Sequence, residues 1–190
     1  MKVQIRKMAL AIALALTVLP SYAYRLEKIK YGDFSQWVTR EITESKVLGG
    51  QKKIVYAVGP TQRINGNIAY TNKGGSPWAS SNVYAKVSGI VKASNTVEPV
   101  KVNGNTMAKM TAKMEHVKVL GIINMDVMVA GTIFLGKVRE PISSTKNAFG
   151  KMEMGIPYTK RPKALVLDYK VDMPAVNTRV KSTGFSSKKT

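Results

Sequence analysis

A chain of 190 residues with 30 Lys and Arg against 11 Asp and Glu carries a formal charge of +19, which favours anionic partners such as acidic polysaccharide, lipopolysaccharide or phospholipid head groups. The total absence of cysteine excludes disulfides, thiolate metal sites and a lipid-bearing cysteine. Nucleic acid is not an expected partner, because the lysines are scattered among apolar residues like those of a solvated sheet face and are not interleaved with stacking aromatics.

Residues 1–23 read as a secretory signal peptide. Lys2, Arg6 and Lys7 precede an apolar run of 12 residues from Met8 to Leu19, followed by Pro20 and the small-x-small ending Ser21-Tyr22-Ala23. Twelve residues fall short of the about 20 that span a bilayer core. Cleavage after Ala23 is therefore expected, with no stable transmembrane span, and the product is placed in the periplasm, on the outer surface or outside the cell. Residues 24–190 have the size of one domain and keep a strongly basic balance.

From there the chain reads as β. Trp37, after Gly32-Asp33-Phe34, sits in a short apolar run and is expected in the core. Lys52 to Val58 is a β-rich run ended by Gly59-Pro60, and Asn65-Gly66 between residues 62–64 and 67–70 predicts a hairpin. A long connection, 72–77, leads to Trp78, and Asn82 to Lys92 is another β-rich run. Val97 to Val102, then Asn103-Gly104, then Thr106 to Val117 predicts a second hairpin, with Ala108, Met110, Ala112, Met114 and His116 sharing the apolar face of its second arm.

Ile122 to Val138 predicts one or two buried strands broken near Gly131, and 141–150 a polar loop. The clearest alternation is Ala164 to Asp172, where Leu165, Leu167, Tyr169 and Val171 share one face, predicting a strand with a buried side. Ser182 to Thr190 is polar and basic without a final apolar strand, hence frayed or cut short. No stretch after the signal combines a 3.6 period with caps, so the fold class is all-β, a β-sandwich or barrel.

Catalytic signatures are missing. There is no phosphate-cradling Gly loop, no HExxH and no GxSxG. The only histidine, His116, is expected in or half in the core and not in catalysis. Glycoside hydrolysis asks for two carboxyl groups about 5 to 9.5 Å apart. Asp168 and Asp172 share a face but would lie about 13 Å apart along a strand. Glu115, Asp126 and Glu153 fall on other elements, so cross-strand pairs stay open. No catalytic residues, cofactor or metal are expected.

Sugars are held by flat aromatic faces with amide, guanidinium and carboxylate neighbours, usually on end loops of a rigid sandwich. Trp78, Asn82, Tyr158 and Arg161 fit that description. Three of them also have a structural alternative: Trp78 as a plug of the core end, Asn82 as a turn cap, and Arg161 as a cap on strand-end carbonyls in place of a grip on a glycan carboxylate.

Several blocks resemble one family. They are Tyr31-Gly32-Asp33-Phe34 with Trp37 and Arg40-Glu41, Ser76-Pro77-Trp78-Ala79-Ser80-Ser81-Asn82-Val83, Phe134-Leu135-Gly136, and Gly155-Ile156-Pro157-Tyr158-Thr159-Lys160-Arg161-Pro162-Lys163-Ala164 running to Asp168-Tyr169-Lys170. In these the chain is similar to the carbohydrate-metabolism-domain (PCMD) family of exported bacterial proteins. The resemblance implies a jelly-roll β-sandwich, similar to galactose-binding-like modules, in Gram-negative glycan users. It brings no catalytic residues, and it implies that this chain is shortened at its C-terminus, leaving the sandwich incomplete.

Three functions follow as expectations: a non-catalytic carbohydrate-binding or glycan-associated module, a structural or adhesive surface protein docking on anionic envelope polymers, and a glycoside hydrolase.

Overall fold

The computed structural model describes residues 25–72, 75–119, 123–144, 149–173, 175, 180–183 and 186–189. The expected signal, 1–23, lies outside them. The described chain is nearly all-β and sandwich-like, as the alternation predicts. Its strands are β1 (Trp37–Thr43), β2 (Lys52–Val58), β3 (Gln62–Asn65), β4 (Trp78–Ser80), β5 (Val83–Val87), β6 (Ile90–Ser94), β7 (Val97–Val102), β8 (Asn105–Met110), β9 (Lys113–Val119), β10 (Ile123–Val129), β11 (Ile133–Val138), β12 (Met152–Met154), β13 (Val180–Thr183) and β14 (Ser186–Lys189).

They form small sheets in the orders β2-β1-β3, β13-β14-β10-β9 and β12-β11-β4, with two-stranded ribbons β5-β6 and β7-β8. β1 is the inner strand of the first sheet, antiparallel to β2 and parallel to β3.

Local chemistry explains several boundaries. Asn103 and Gly104 take φ of 49° and 80°, the two left-handed positions of a type I′ turn, and they close the β7-β8 hairpin where Asn-Gly predicts it. The break between β10 and β11 falls at Gly131, where a Cβ would lie 2.5 Å from the Thr111 amide nitrogen and 2.7 Å from the Thr96 carbonyl oxygen.

The structure also corrects the sequence reading. Asn65-Gly66 closes no hairpin: β3 runs parallel to β1, Gly66 N–H donates to the Glu41 carbonyl, and Asn67 binds both the N–H and the C=O of Thr43. These bonds to β1 take the place of a return strand. The run 82–92 is a hairpin turning at Ser88-Gly89. The run 106–117 is two strands, divided at Thr111-Ala112 and passed to different sheets.

His116 is exposed, and its Nδ1 meets the Asp126 carboxylate across the β9-β10 ladder. That contact lies on the exposed side of the ladder, against its expected place in or half in the core. The stretch Ser182 to Thr190, expected to bring no final apolar strand and to be frayed or cut short, contributes polar residues to β13 and β14. Most consequentially, among the described residues Ala164 to Asp172 joins no ladder and is exposed throughout, against the buried side expected of it. An alternating strand has a buried side only if a neighbour supplies one.

Two apolar clusters make the core. One gathers Ile42, Val55, Tyr84, Val91 and Ala93. The other gathers Trp37, Val58 and Val97, with Tyr31, Phe34, Tyr56, Trp78, Ala108 and Ile133 packed against it. Trp37 is buried as expected.

On β1 the buried row Val38, Arg40, Ile42 places a guanidinium between two aliphatic side chains, with Arg40 1% exposed. A charge there is tolerable only if paired and hydrogen-bonded. Glu140 supplies the partner. Its Oε1 accepts from Arg40 Nη1 at 3.0 Å and Tyr84 N–H at 2.9 Å, and its Oε2 from Arg40 Nη2 at 2.5 Å and Tyr70 N–H at 2.9 Å. Arg40 Nη2 also donates to the Ile68 carbonyl, and its guanidinium lies 5.3 Å from the centre of the Tyr70 ring.

One carboxylate thus ties β1 to β5 and to the chain at 68–70. Glu140→Gln leaves the guanidinium uncompensated and offers an amide where two donors point. It is expected to cost about 3–5 kcal/mol of unfolding free energy, read by urea denaturation.

Candidate functional site

The turn at 29–35 organises one end of the molecule. Gly32 N–H donates to the Ile29 carbonyl and Phe34 N–H to that of Tyr31, while Tyr31 and Phe34 both take positive φ. For aromatic residues such backbone needs outside support. The two tryptophans give it: Trp37 Nε1 donates to the Phe34 carbonyl at 2.7 Å, and Trp78 Nε1 to the Lys30 carbonyl at 2.8 Å. The Phe34 ring sits 5.3 Å from that of Trp78 and 6.4 Å from that of Trp37.

Trp78 thus packs as its core-plug alternative has it. It is half-buried against the core, with its indole N–H committed to the turn.

The same N-terminal segment reaches the second predicted cluster. Lys160 Nζ binds Glu27 at 2.6 Å, and Tyr158 also hydrogen-bonds to the Glu27 carboxylate. The Lys160 ammonium, helped by Arg25 and the Tyr158 hydroxyl, holds the Glu27 carboxyl below its ordinary value. Glu27 reciprocally holds the Lys160 ammonium above the usual lysine range.

Gly155 N–H donates to the Leu135 carbonyl, and Leu135 is the ladder partner of Trp78. The 155–161 turn and Trp78 thus leave opposite edges of β11 and are tied to one segment, at Glu27 and Lys30. Tyr158, Lys160 and Arg161 are exposed there.

Asn82 does not join them. Its Nδ2 donates to the carbonyls of Tyr56 at 2.8 Å and Val97 at 2.5 Å, and its Oδ1 accepts from the amides of Thr96 at 2.7 Å and Val97 at 2.9 Å. An amide side chain has two donor hydrogens and two acceptor lone pairs, and all four are used. Asn82 is a buried latch between β2 and β7, which corrects both the sugar contact and the turn cap expected of it, since its amide is spent on distant backbone. Asn82→Ala leaves two buried N–H groups and two carbonyls without partners. A loss of about 3 kcal/mol or more is expected in chemical denaturation, and Asn82→Asp should fall short of the parent because it keeps the acceptor for the Thr96 and Val97 amides but turns lone pairs on the Tyr56 and Val97 carbonyls.

A second charged cluster was not legible in the sequence. Lys53 and Lys92 each lie 3.3 Å from Glu44 Oε1, and 4.0 Å and 3.5 Å from Glu115 Oε2, while Lys113 binds Glu115 Oε1 at 3.0 Å. Glu44 Oε1 also accepts the Ala93 N–H. Burial pushes the Lys53 ammonium down and Lys92 adds to this. Lys92, despite its own burial, is pushed up by its hydrogen bond to Lys53 and by the two carboxylates.

Glu44 and Glu115 are close enough to resemble a hydrolytic pair, but cations stand between them. Burial raises the Glu115 carboxyl, yet Lys113, Lys53 and Lys92 outweigh it and hold it below its ordinary value of 4.5. A general acid needs the opposite shift. Among the described residues no cluster of three or more His, Asp and Glu could hold a metal.

A depressed carboxyl contributes stability that is present above its unfolded pKa and lost as pH falls through its folded one. Thermal stability should therefore fall as pH drops below about 4.5, and the fall should be shallower in Glu115→Gln, as read by melting temperature against pH.

In comparisons with family models, curated proteins and solved structures, nothing matches this chain.

Proposed function

We propose that the chain is an exported, non-catalytic, carbohydrate-binding or glycan-associated module of the PCMD type, a jelly-roll sandwich working in the envelope or outside a Gram-negative cell. The observation that carries this reading is the tethering of the exposed Tyr158, Lys160 and Arg161 turn to the segment that also holds the half-buried Trp78 indole. Such a surface offers an aromatic face for the C–H side of a sugar ring and two cations for a carboxylate or sulfate on it. The charge of +19 favours an acidic glycan over a neutral one. The depressed Glu115 carboxyl argues against the hydrolase alternative.

Affinity electrophoresis through gels loaded with acidic or neutral polysaccharide tests the proposal. Retention on an acidic polysaccharide should weaken about tenfold in Tyr158→Ala and in Arg161→Ala, both at exposed positions where folding is unaffected. Failure of the folded protein to be retained by any polysaccharide would remove the reading. Retention that vanishes with salt and ignores sugar identity would replace it with electrostatic docking on anionic envelope polymers.

A further inference from the structure

The exposed segment after the 155–161 turn has the composition of an inner strand and the surroundings of a loop. Leu165 is 74% exposed, Leu167 58%, Tyr169 75%, Val171 59% and Met173 83%. Among the described residues its backbone enters no ladder, and Asp168 and Lys170 form no ion pair. Pro162 and Pro174, which lack an N–H for a ladder, bracket the run. A strand in this condition is a template for another strand.

We propose that this segment is a homodimerisation strand, pairing antiparallel with its copy in a second molecule about a two-fold axis at Tyr169. Charge and apolar overlap together select the register. With Tyr169 opposite its own copy, Leu167 faces Val171 and Leu165 faces Met173 on one side of the ribbon. On the other side, Asp168 of each copy faces Lys170 of its partner, giving two symmetric cross-strand ion pairs.

Neighbouring registers fail. Centring the pair on Asp168 puts Asp168 against itself. Centring it on Lys170 puts Lys170 against itself and Asp168 against Asp172. Centring it on Val171 also sets Lys170 against Asp172, but it places Asp168 opposite Pro174 and Leu165 opposite Asn177, outside the apolar run. A shift by a single residue sets the Leu165–Val171 face against the charged face. In-register parallel pairing stacks like charges. Parallel pairing offset by two residues matches charges but is head-to-tail and does not close at two copies.

Sedimentation velocity of the purified protein over a concentration series tests this directly. A monomer–dimer equilibrium is expected. Asp168→Lys and Lys170→Asp each place like charges opposite one another and should weaken the dimer at least about tenfold. Both lie outside every ladder, so circular dichroism should stay that of the parent. An equimolar mixture of the two variants restores both ion pairs and should dimerise again, as should the double variant Asp168→Lys with Lys170→Asp.

A protein that stays monomeric at every concentration overturns the proposal. So does assembly that continues past two copies, a dimer indifferent to either single variant, or a mixture that fails to recover.

Discussion

The buried pairing of Arg40 with Glu140 is the constraint on which the packing turns. Arg40 occupies the middle of the core-facing row of β1, where its neighbours along the row are Val38 and Ile42 and the dielectric response is weakest. A guanidinium in that position is uphill unless its charge is matched at close range and its hydrogens are taken. Glu140 meets the first demand, and with the Ile68 carbonyl most of the second, leaving Nε without a hydrogen bond over the Tyr70 ring side of the core. Because the same carboxylate accepts the amides of Tyr70 and Tyr84, the pair also fixes where the 68–70 segment and β5 sit against β1. Ladder hydrogen bonds join strands within each small sheet. Glu140, Asn82 and Ser81 do the joining between sheets.

That division of labour explains why polar residues are so prominent in the interior. Small sheets and ribbons cannot meet only through aliphatic side chains, because their edges carry unpaired amides and carbonyls. Asn82 satisfies four such groups between β2 and β7, and Ser81 Oγ bridges Thr96 and the Thr132 amide. The interior is held by directional contacts at the seams and by apolar contact within them.

The aromatic end follows the same logic in a different chemistry. Two indole N–H groups hold a turn whose backbone would otherwise be unfavourable, and the segment leading into that turn carries Glu27, to which the Tyr158 and Lys160 side chains attach. The exposed 155–161 turn is thus tied to the segment that the two tryptophans hold, and Trp78 itself packs against the core.

The residue pattern by itself determined the all-β class, the extent of β2, the Asn103-Gly104 hairpin, the interruption at Gly131 and the burial of Trp37. Each of these rests on a neighbour in sequence: a two-residue period, a pair of residues tolerant of positive φ, or a position without room for a Cβ. Of the four residues singled out for sugar, it could not tell that Asn82 would spend its whole amide on backbone 14, 15 and 26 residues away. The Ser88-Gly89 dipeptide carries a turn signal of its own, and the β5-β6 hairpin turns there. What only the tertiary structure decided were the partnerships across long separations: Arg40 with Glu140, Glu44 with Glu115 through two lysines, and β3 parallel to β1 where a hairpin was expected. It also decided that Leu165 to Val171, with the most regular alternation in the chain, has no strand beside it among the described residues. Alternation records which side chains prefer to leave water, but burial also needs a second surface, and that surface is set by distant parts of the chain.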